Sequence, residues 1–344
     1  LASVLPGAHA AIPPAATKDA LYAKGYLVVT HYPGVFTNET SAATTTAGLN
    51  EAIADAYTNN LVAYFPPGTY LVNDTLKAHT TAGVPTGVPG YTHATPRNHI
   101  AMIGATTGSS RPLIKLATSA VGFSNAVTPK VMLEFKNFSV TNAAVEEAGN
   151  AYHQMLRSVD LHCGSGNPGA IALYFNQAQD SSIENVRITA SNAFAGIHGL
   201  PARGSHVVNI EIEGGQYGID TSGTGSAGTA IVGAVLRNQT VSAVRYDGFV
   251  PLVLVGFEII TPAGSSQAAL TIPSSSRAHN SCLSLIDGRI TLGAEPSLAA
   301  INNSAGMNFY ARNVHVTGGN KLLKSGANAV ISGTGAWKRI EEYG

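Results

Sequence analysis

The sequence predicts an all-β chain wound as a parallel β-helix, a solenoid of stacked coils behind one short N-terminal capping α-helix. Three observations predict it. Short β-branched strands recur from about residue 110 onward at a nearly constant spacing, a second strand family follows the first in each coil, and the helical period is confined to one segment near the N-terminus. At 344 residues the chain far exceeds the usual domain length of roughly 150, and one elongated repeat with a continuous core accounts for that length.

Residues 1–24 read as an N-terminal extension, 25–110 as a cap, and 111–344 as coils continuous with the cap in one domain. Leu1 to Ala11 is small and apolar without a basic stretch, the character of a mature N-terminus left by signal cleavage, so a secreted protein is expected. Within the cap, Thr44 to Asn60 opens with capping residues and sets Leu49, Ile53, Ala56 and Tyr57 on one face, an amphipathic helix of about four turns. Val62 to Phe65 follows as a short strand closed by Pro66-Pro67-Gly68, and Thr69 to Val72 begins the next.

The first strand family comprises Phe138–Val140, Val159–Leu161, Val186–Ile188, Ile210–Ile212, Ala234–Leu236, Phe257–Ile259, Gly288–Ile290 and Val314–Val316. Most starts are roughly 21 to 31 residues apart, clustering near 24, the length of one coil. The second family comprises Ile171–Tyr174, Gly196–His198, Gly218–Asp220, Ala243–Arg245, Ala269–Thr271, Ala300–Asn302 and Leu322–Lys324. Its pattern is small or apolar, then aliphatic, then polar, so the aliphatic residue points inward and the polar one outward. A TIM barrel needs helical patterns between strands, and an antiparallel sandwich would not hold so constant a period.

Charged residues are only 12% of the chain, the formal net charge is zero and no Lys/Arg run occurs, which excludes the electrostatic footprint of a nucleic-acid or anionic-membrane binder. The longest apolar stretch, Phe249 to Ile260, is too short to span a bilayer. Cys163 and Cys282 are far apart and lack metal-ligand spacing, so they read as two thiols rather than one bridge. Sequons at Asn38, Asn73, Asn137, Asn238 and Asn302 lend weak support to secretion. No GxSxG, phosphate loop or HExxH is present.

The helix, the YFPPGTYLV segment and the Gly-rich coils after it resemble the start of pectate-lyase superfamily proteins, which implies a right-handed β-helix. The stretches Tyr152 to Leu161, Ala170 to Val186 and Asn209 to Ile219 further resemble the first β-helix of glycoside hydrolase family 55, the exo-β-1,3-glucanases. The resemblance covers roughly residues 25 to 340 and implies an extracellular glucanase-like hydrolase. Two departures stand out. Thr30 to Asn38 replaces the aspartate-rich run that precedes the cap helix in such proteins, and the sequence ends near Trp337 to Tyr343, where that hydrolase family continues into a second β-helix carrying its acid.

With the second family in register, Tyr174, His198, Asp220, Arg245, Thr271, Asn302 and Lys324 form one outward column, with neighbours roughly 4.8 Å apart. Two residues further along the strands stand Asn176, Leu200, Ser222, Asp247, Pro273 and Ser304. Such rungs can be plain solvated ladder residues. For hydrolysis, Asp220 and Asp247 would be the inverting carboxylate pair, about 8 Å apart at the backbone, although Arg245 between them favours two ionised carboxylates. For β-elimination on a uronate, Arg245 or Lys324 would neutralise the carboxylate while His198, oriented by Asp220, or Tyr174 took the proton. Asn176, Ser222, Thr271, Asn302 and Lys324 would bind the polysaccharide or oligosaccharide.

A third reading is a non-catalytic carbohydrate-binding or assembly half completed by a second β-helix domain or by further copies of the chain. No cofactor is expected; the Ca²⁺ on which superfamily lyases often rely finds no dense acidic cluster. Glu146-Glu147 reads as a solvated loop pair, Glu184-Asn185 as a coil turn with structural Asn stacking, Tyr246 as core, and Glu211 and Glu213 as ordinary surface. His153, His162, His206 and His315 read as surface or turn histidines.

Overall fold

The computed structural model describes residues 11–82, 99–106, 110–139, 142, 144–224, 228–248, 251–273, 282–293, 297–326 and 328–344. The helix spans Ala42–Thr58 and buries Leu49, Ile53 and Ala56, while Tyr57 is only half-buried. It starts without a side-chain cap: Ser41 lies in the left-handed region (φ 50°) and makes no capping hydrogen bond. Strands Val62–Phe65 and Thr69–Val72 follow where the sequence puts them.

Beyond the helix, the described strands fall into a 16-stranded sheet and a 10-stranded sheet, paired parallel except where Lys338–Tyr343 and Asn328–Ser332 turn back antiparallel at the C-terminal end. The inward aliphatic residues align rung by rung. Leu161, Ile188, Ile212, Leu236, Ile259, Ile290 and Val316 are successive partners in the larger sheet, and Leu173, Ile197, Ile219, Val244, Leu270, Ile301 and Leu323 in the smaller. All fourteen belong to one hydrophobic cluster running from Ala16 to Ile340, in which each rung packs against its neighbours.

The structure departs from the sequence reading in two places. Phe138 lies in strand Lys130–Ser139, which pairs with Ala170–Tyr174 in the smaller sheet, so it does not begin the first family; Val140 lies outside the described residues. Each coil also carries an upstream strand segment that the sequence pattern hid. It adds a third inward column, Leu156, Ile183, Val207, Ile231, Leu254, Leu285 and Ala311.

The two segments of the larger sheet meet at a bend where Ser158, Asn185, Asn209, Gly233, Gly256, Asp287 and Asn313 all have φ between 53° and 63° or, at Gly233, 72°. Asn and Gly tolerate that left-handed conformation, and the side chains stitch the bend: Asn209 Nδ2 donates to Asn185 Oδ1 at 2.9 Å, and Asn185 Nδ2 to Ser158 Oγ at 3.0 Å. The outer face of this sheet is laced by ion pairs rather than bare charge, with Arg237 bridging Glu211 at 2.7 Å and Glu258 at 3.0 Å. Both cysteines are free thiols, and Cys163 is buried, which pushes its pKa up to about 12.

Candidate functional site

The smaller sheet places Tyr174, His198, Asp220, Arg245, Thr271, Asn302 and Lys324 in unbroken register, and the column continues in the other direction to Glu134 and Lys77. A one-residue slip would bury these polar groups and expose the aliphatic column, so the hydrophobic pattern fixes the site.

Asp220 departs from the outward reading: it is wholly buried. Arg245 Nε donates to its Oδ1 at 2.7 Å and Nη2 to its Oδ2 at 2.6 Å. The Ser222 N–H donates to Oδ1 at 2.9 Å and the Ser222 hydroxyl to Oδ2 at 3.0 Å. Arg245 is itself fixed by Tyr217, whose ring lies 3.9 Å below the guanidinium and whose hydroxyl accepts from Nη1 at 2.9 Å. His198 Nδ1 lies 3.3 Å from Asp220 Oδ2, within ion-pair range but not hydrogen-bonded to it. Burial pushes the Asp220 carboxyl up, but His198 and Arg245 outweigh it and hold the group well below the usual carboxylate range.

This corrects the inverting-pair assignment. Both Asp220 oxygens are saturated by donors and the group stays ionised, so it can neither donate a proton nor activate water. Asp247 is half-buried, receives no place among the residues lining the cleft described next, and its N–H donates to Thr221 Oγ1 at 2.7 Å.

An open cleft of about 370 Å³ lies over the start of the column. Lys136, Glu146, Tyr174, His198, Asp220 and Ser222 supply its polar lining, and Pro129, Val131, Ile171 and Phe194 its apolar wall. Glu146 enters here from the loop after the Lys130–Ser139 strand, held by a bridge between Phe138 and Glu146. Its Oε1 accepts a hydrogen bond from the Tyr174 hydroxyl at 2.7 Å. Burial raises the Glu146 pKa more than the Tyr174 bond lowers it. The Tyr174 phenol is pushed up as well, by burial and then by Glu146. Glu146 is therefore no solvated loop residue. No local pattern marks it, because it reaches the cleft through a tertiary bridge.

The remaining cations near the cleft are committed. Lys136 Nζ sits 2.8 Å from Glu134 Oε2 and 5.2 Å from the Tyr174 ring centroid, and His79 Nε2 lies 2.7 Å from Glu134 Oε1. Burial raises the Glu134 pKa, but His79 and Lys136 bring it below its usual value.

Of the expected substrate-binding residues, Ser222 lines the cleft, and Asn176 is buried with its amide 3.4 Å from the Tyr174 hydroxyl. Thr271 is buried; its hydroxyl donates to the Ala268 carbonyl at 3.3 Å and accepts from Ser242, so it is turned away from any ligand. Asn302 and Lys324 line a separate cavity of about 210 Å³ further along the sheet. Among the described residues no group of three or more His, Cys, Asp or Glu side chains is placed to hold a metal ion.

Residues 37–246 match the family described as rhamnogalacturonase A/epimerase, pectate lyase-like. No curated protein matches the sequence. Among solved structures, the chain is similar to ORF18 of Geobacillus virus E2 (12% identity, 89% of this chain and 56% of that one, TM-score 0.46). It is also similar to PfbA, a surface adhesin of Streptococcus pneumoniae (11% identity, 92% and 100%, TM-score 0.41). A third is a variant of sacteLam55A from Streptomyces sp. SirexAA-E in complex with glucose (13% identity, 87% and 53%, TM-score 0.38). The chain thus spans only about half the length of the first and third.

Proposed function

The chain belongs to the rhamnogalacturonase A/epimerase, pectate lyase-like family, and from that premise we propose that it is a secreted glycoside hydrolase cleaving a polysaccharide in the Glu146/Tyr174/His198 cleft. The observation that carries the proposal is the pairing, in one cleft, of a carboxylic acid with a raised pKa and an imidazole backed by an ionised carboxylate. Glu146 is the general acid: protonated, it passes its proton to the glycosidic oxygen as the C–O bond breaks. His198 is the base, taking a proton from the water whose oxygen bonds to the anomeric carbon. Asp220, pinned by Arg245 and Ser222, steadies the resulting imidazolium.

Hydrolysis is favoured over β-elimination because elimination needs a cation facing the uronate carboxylate. Lys136, which lines the cleft, and Arg245, behind it, are already neutralised by Glu134 and Asp220. The right-handed winding expected for the parallel crossovers is the hand nearly all such connections take, and the unbroken core supports cap and coils as one domain. Secretion is part of the proposal: sequon residues Asn38 and Asn238 are exposed, whereas Asn137 is buried and bonded to the Glu147 carbonyl at 3.1 Å. The test is Glu146→Gln, which should bind oligosaccharide like the unaltered protein and cleave it about 10²- to 10⁴-fold more slowly; cleavage at the full rate by this variant would remove the proposal.

A further inference from the structure

The larger sheet turns two outward strand faces to its surroundings, one on each side of the bend, and they differ in character. Downstream of the bend, the outward residues Glu211, Arg237 and Glu258 form an ion-paired ladder. Upstream of it, on the same coils, Val208, Val232, Val255 and Ile286 are successive partners in register. Each follows an inward residue of the column that runs from Leu156 to Ala311, and so points outward. Val232 is 40% exposed, and the other three are half-buried. Beside them, Ala230 and Val253 add two more half-buried apolar side chains on the same face. The coils do not need an apolar outer face, as the ion-paired ladder shows, and a contiguous patch of this kind marks a surface suited to a protein partner.

Charge marks both ends of the patch. Before Val208 the column holds Arg157 and then Glu184; after Ile286 it holds Arg312 and then Glu342. Arg157 Nε lies 3.6 Å from Glu184 Oε2, and Glu342 Oε1 accepts from the Tyr310 hydroxyl at 3.0 Å on the same face. Along the stack the column is therefore cation, anion, four aliphatic rungs, cation, anion. That order complements itself when reversed. A two-fold axis parallel to the strands and passing between Val232 and Val255 sets Val232 against the partner's Val255 and Val208 against the partner's Ile286. It also sets Glu184 against the partner's Arg312 and Arg157 against the partner's Glu342, and every pair forms twice. A slip of one rung either way sets Glu184 against the partner's Glu342 or Arg157 against the partner's Arg312, and a two-fold along the stack brings each charge toward its own like.

We infer that two copies of the chain pair through this face with their solenoid axes antiparallel. The apolar rungs supply the contact, and the charged ends fix its register and direction. The face runs from Arg157 to Glu342, roughly 34 Å at the strand spacing of a sheet, and is one short strand wide, so the dimer is a weak one with a dissociation constant of micromolar order. The inference is independent of the chemistry of the cleft, which lies over the smaller sheet.

The test is sedimentation equilibrium of the chain from about 1 to 200 μM, where a monomer–dimer equilibrium is expected. Val232→Glu should weaken it by about tenfold or more, while Val330→Glu, 42% exposed on a strand of the smaller sheet, should leave it unchanged. Cross-linking reads the register. In a Cys282→Ser background, which leaves only the buried Cys163, the Val208→Cys/Ile286→Cys double variant should give a covalent dimer with a short bismaleimide. Each single variant should give none, because the axis leaves its two thiols three rungs out of line, roughly 14 Å along the stack. A monomer at every concentration, a trimer, a dimer indifferent to Val232→Glu, or a covalent dimer from a single variant overturns the inference.

Discussion

Arg245 grips Asp220 at two points across one rung of the parallel ladder, Nε to Oδ1 at 2.7 Å and Nη2 to Oδ2 at 2.6 Å, with the carboxylate wholly buried beneath the guanidinium. Taking one partner from such a pair leaves an uncompensated buried charge. Arg245→Ala should therefore cost about 3–5 kcal/mol, read as a lower denaturation midpoint at unchanged slope.

The same pair sets an acid limit. Because the Asp220 pKa is depressed in the fold, its contribution to stability is present above the unfolded carboxylate pKa and fades as pH falls toward the folded value. Asp220→Asn should flatten that acid limb, which thermal melts between neutral and strongly acidic pH will register.

Glu146 carries the opposite sign. Acting as an acid, it must stay protonated, so the rate should fall as pH rises through its raised pKa. Removing the Tyr174 hydroxyl removes a bond that stabilises the carboxylate, so Tyr174→Phe should shift this limb to higher pH. Glu146→Gln should lower turnover by about 10²- to 10⁴-fold. Rate profiles of the three proteins against pH provide the check.

Much of this arrangement is legible in the residues. The repeated small, aliphatic, polar triplet locates the column from Tyr174 to Lys324 because a period of two leaves a single register that keeps Ile197, Ile219 and Val244 inside. What depends on tertiary contact is not legible. Glu146 reaches Tyr174 through a loop, and Asp220 lies buried beneath Arg245, whose guanidinium sits over the Tyr217 ring. The upstream strand of each coil is hidden because Asn185 and its equivalents break the strand pattern at the bend.

That bend has its own energetic signature. Asn209 is exposed and left-handed, so Asn209→Ala should destabilise by roughly 1–2 kcal/mol, while Asn209→Gly, free of the Cβ penalty, should recover most of the loss. Chemical denaturation of the two variants compares them directly.

Neighbouring residues on one strand should differ sharply. Ile212→Ala opens a cavity in the inward column and should cost about 2–5 kcal/mol. Glu211→Ala removes only half-exposed ion pairs and should stay within about 1 kcal/mol. Denaturation midpoints of the two proteins measure the contrast.

The central claim, hydrolysis in the Glu146/His198 cleft, is tested most directly by product analysis on a panel of neutral and acidic polysaccharides, following reducing ends and the ultraviolet absorbance of a new C=C bond together. The account predicts reducing ends without absorbance from the unaltered protein, and from Glu146→Gln reducing ends released about 10²- to 10⁴-fold more slowly. Absorbance rising with the reducing ends would mean elimination, and silence across the panel would mean a binding half without chemistry; either result would contradict it.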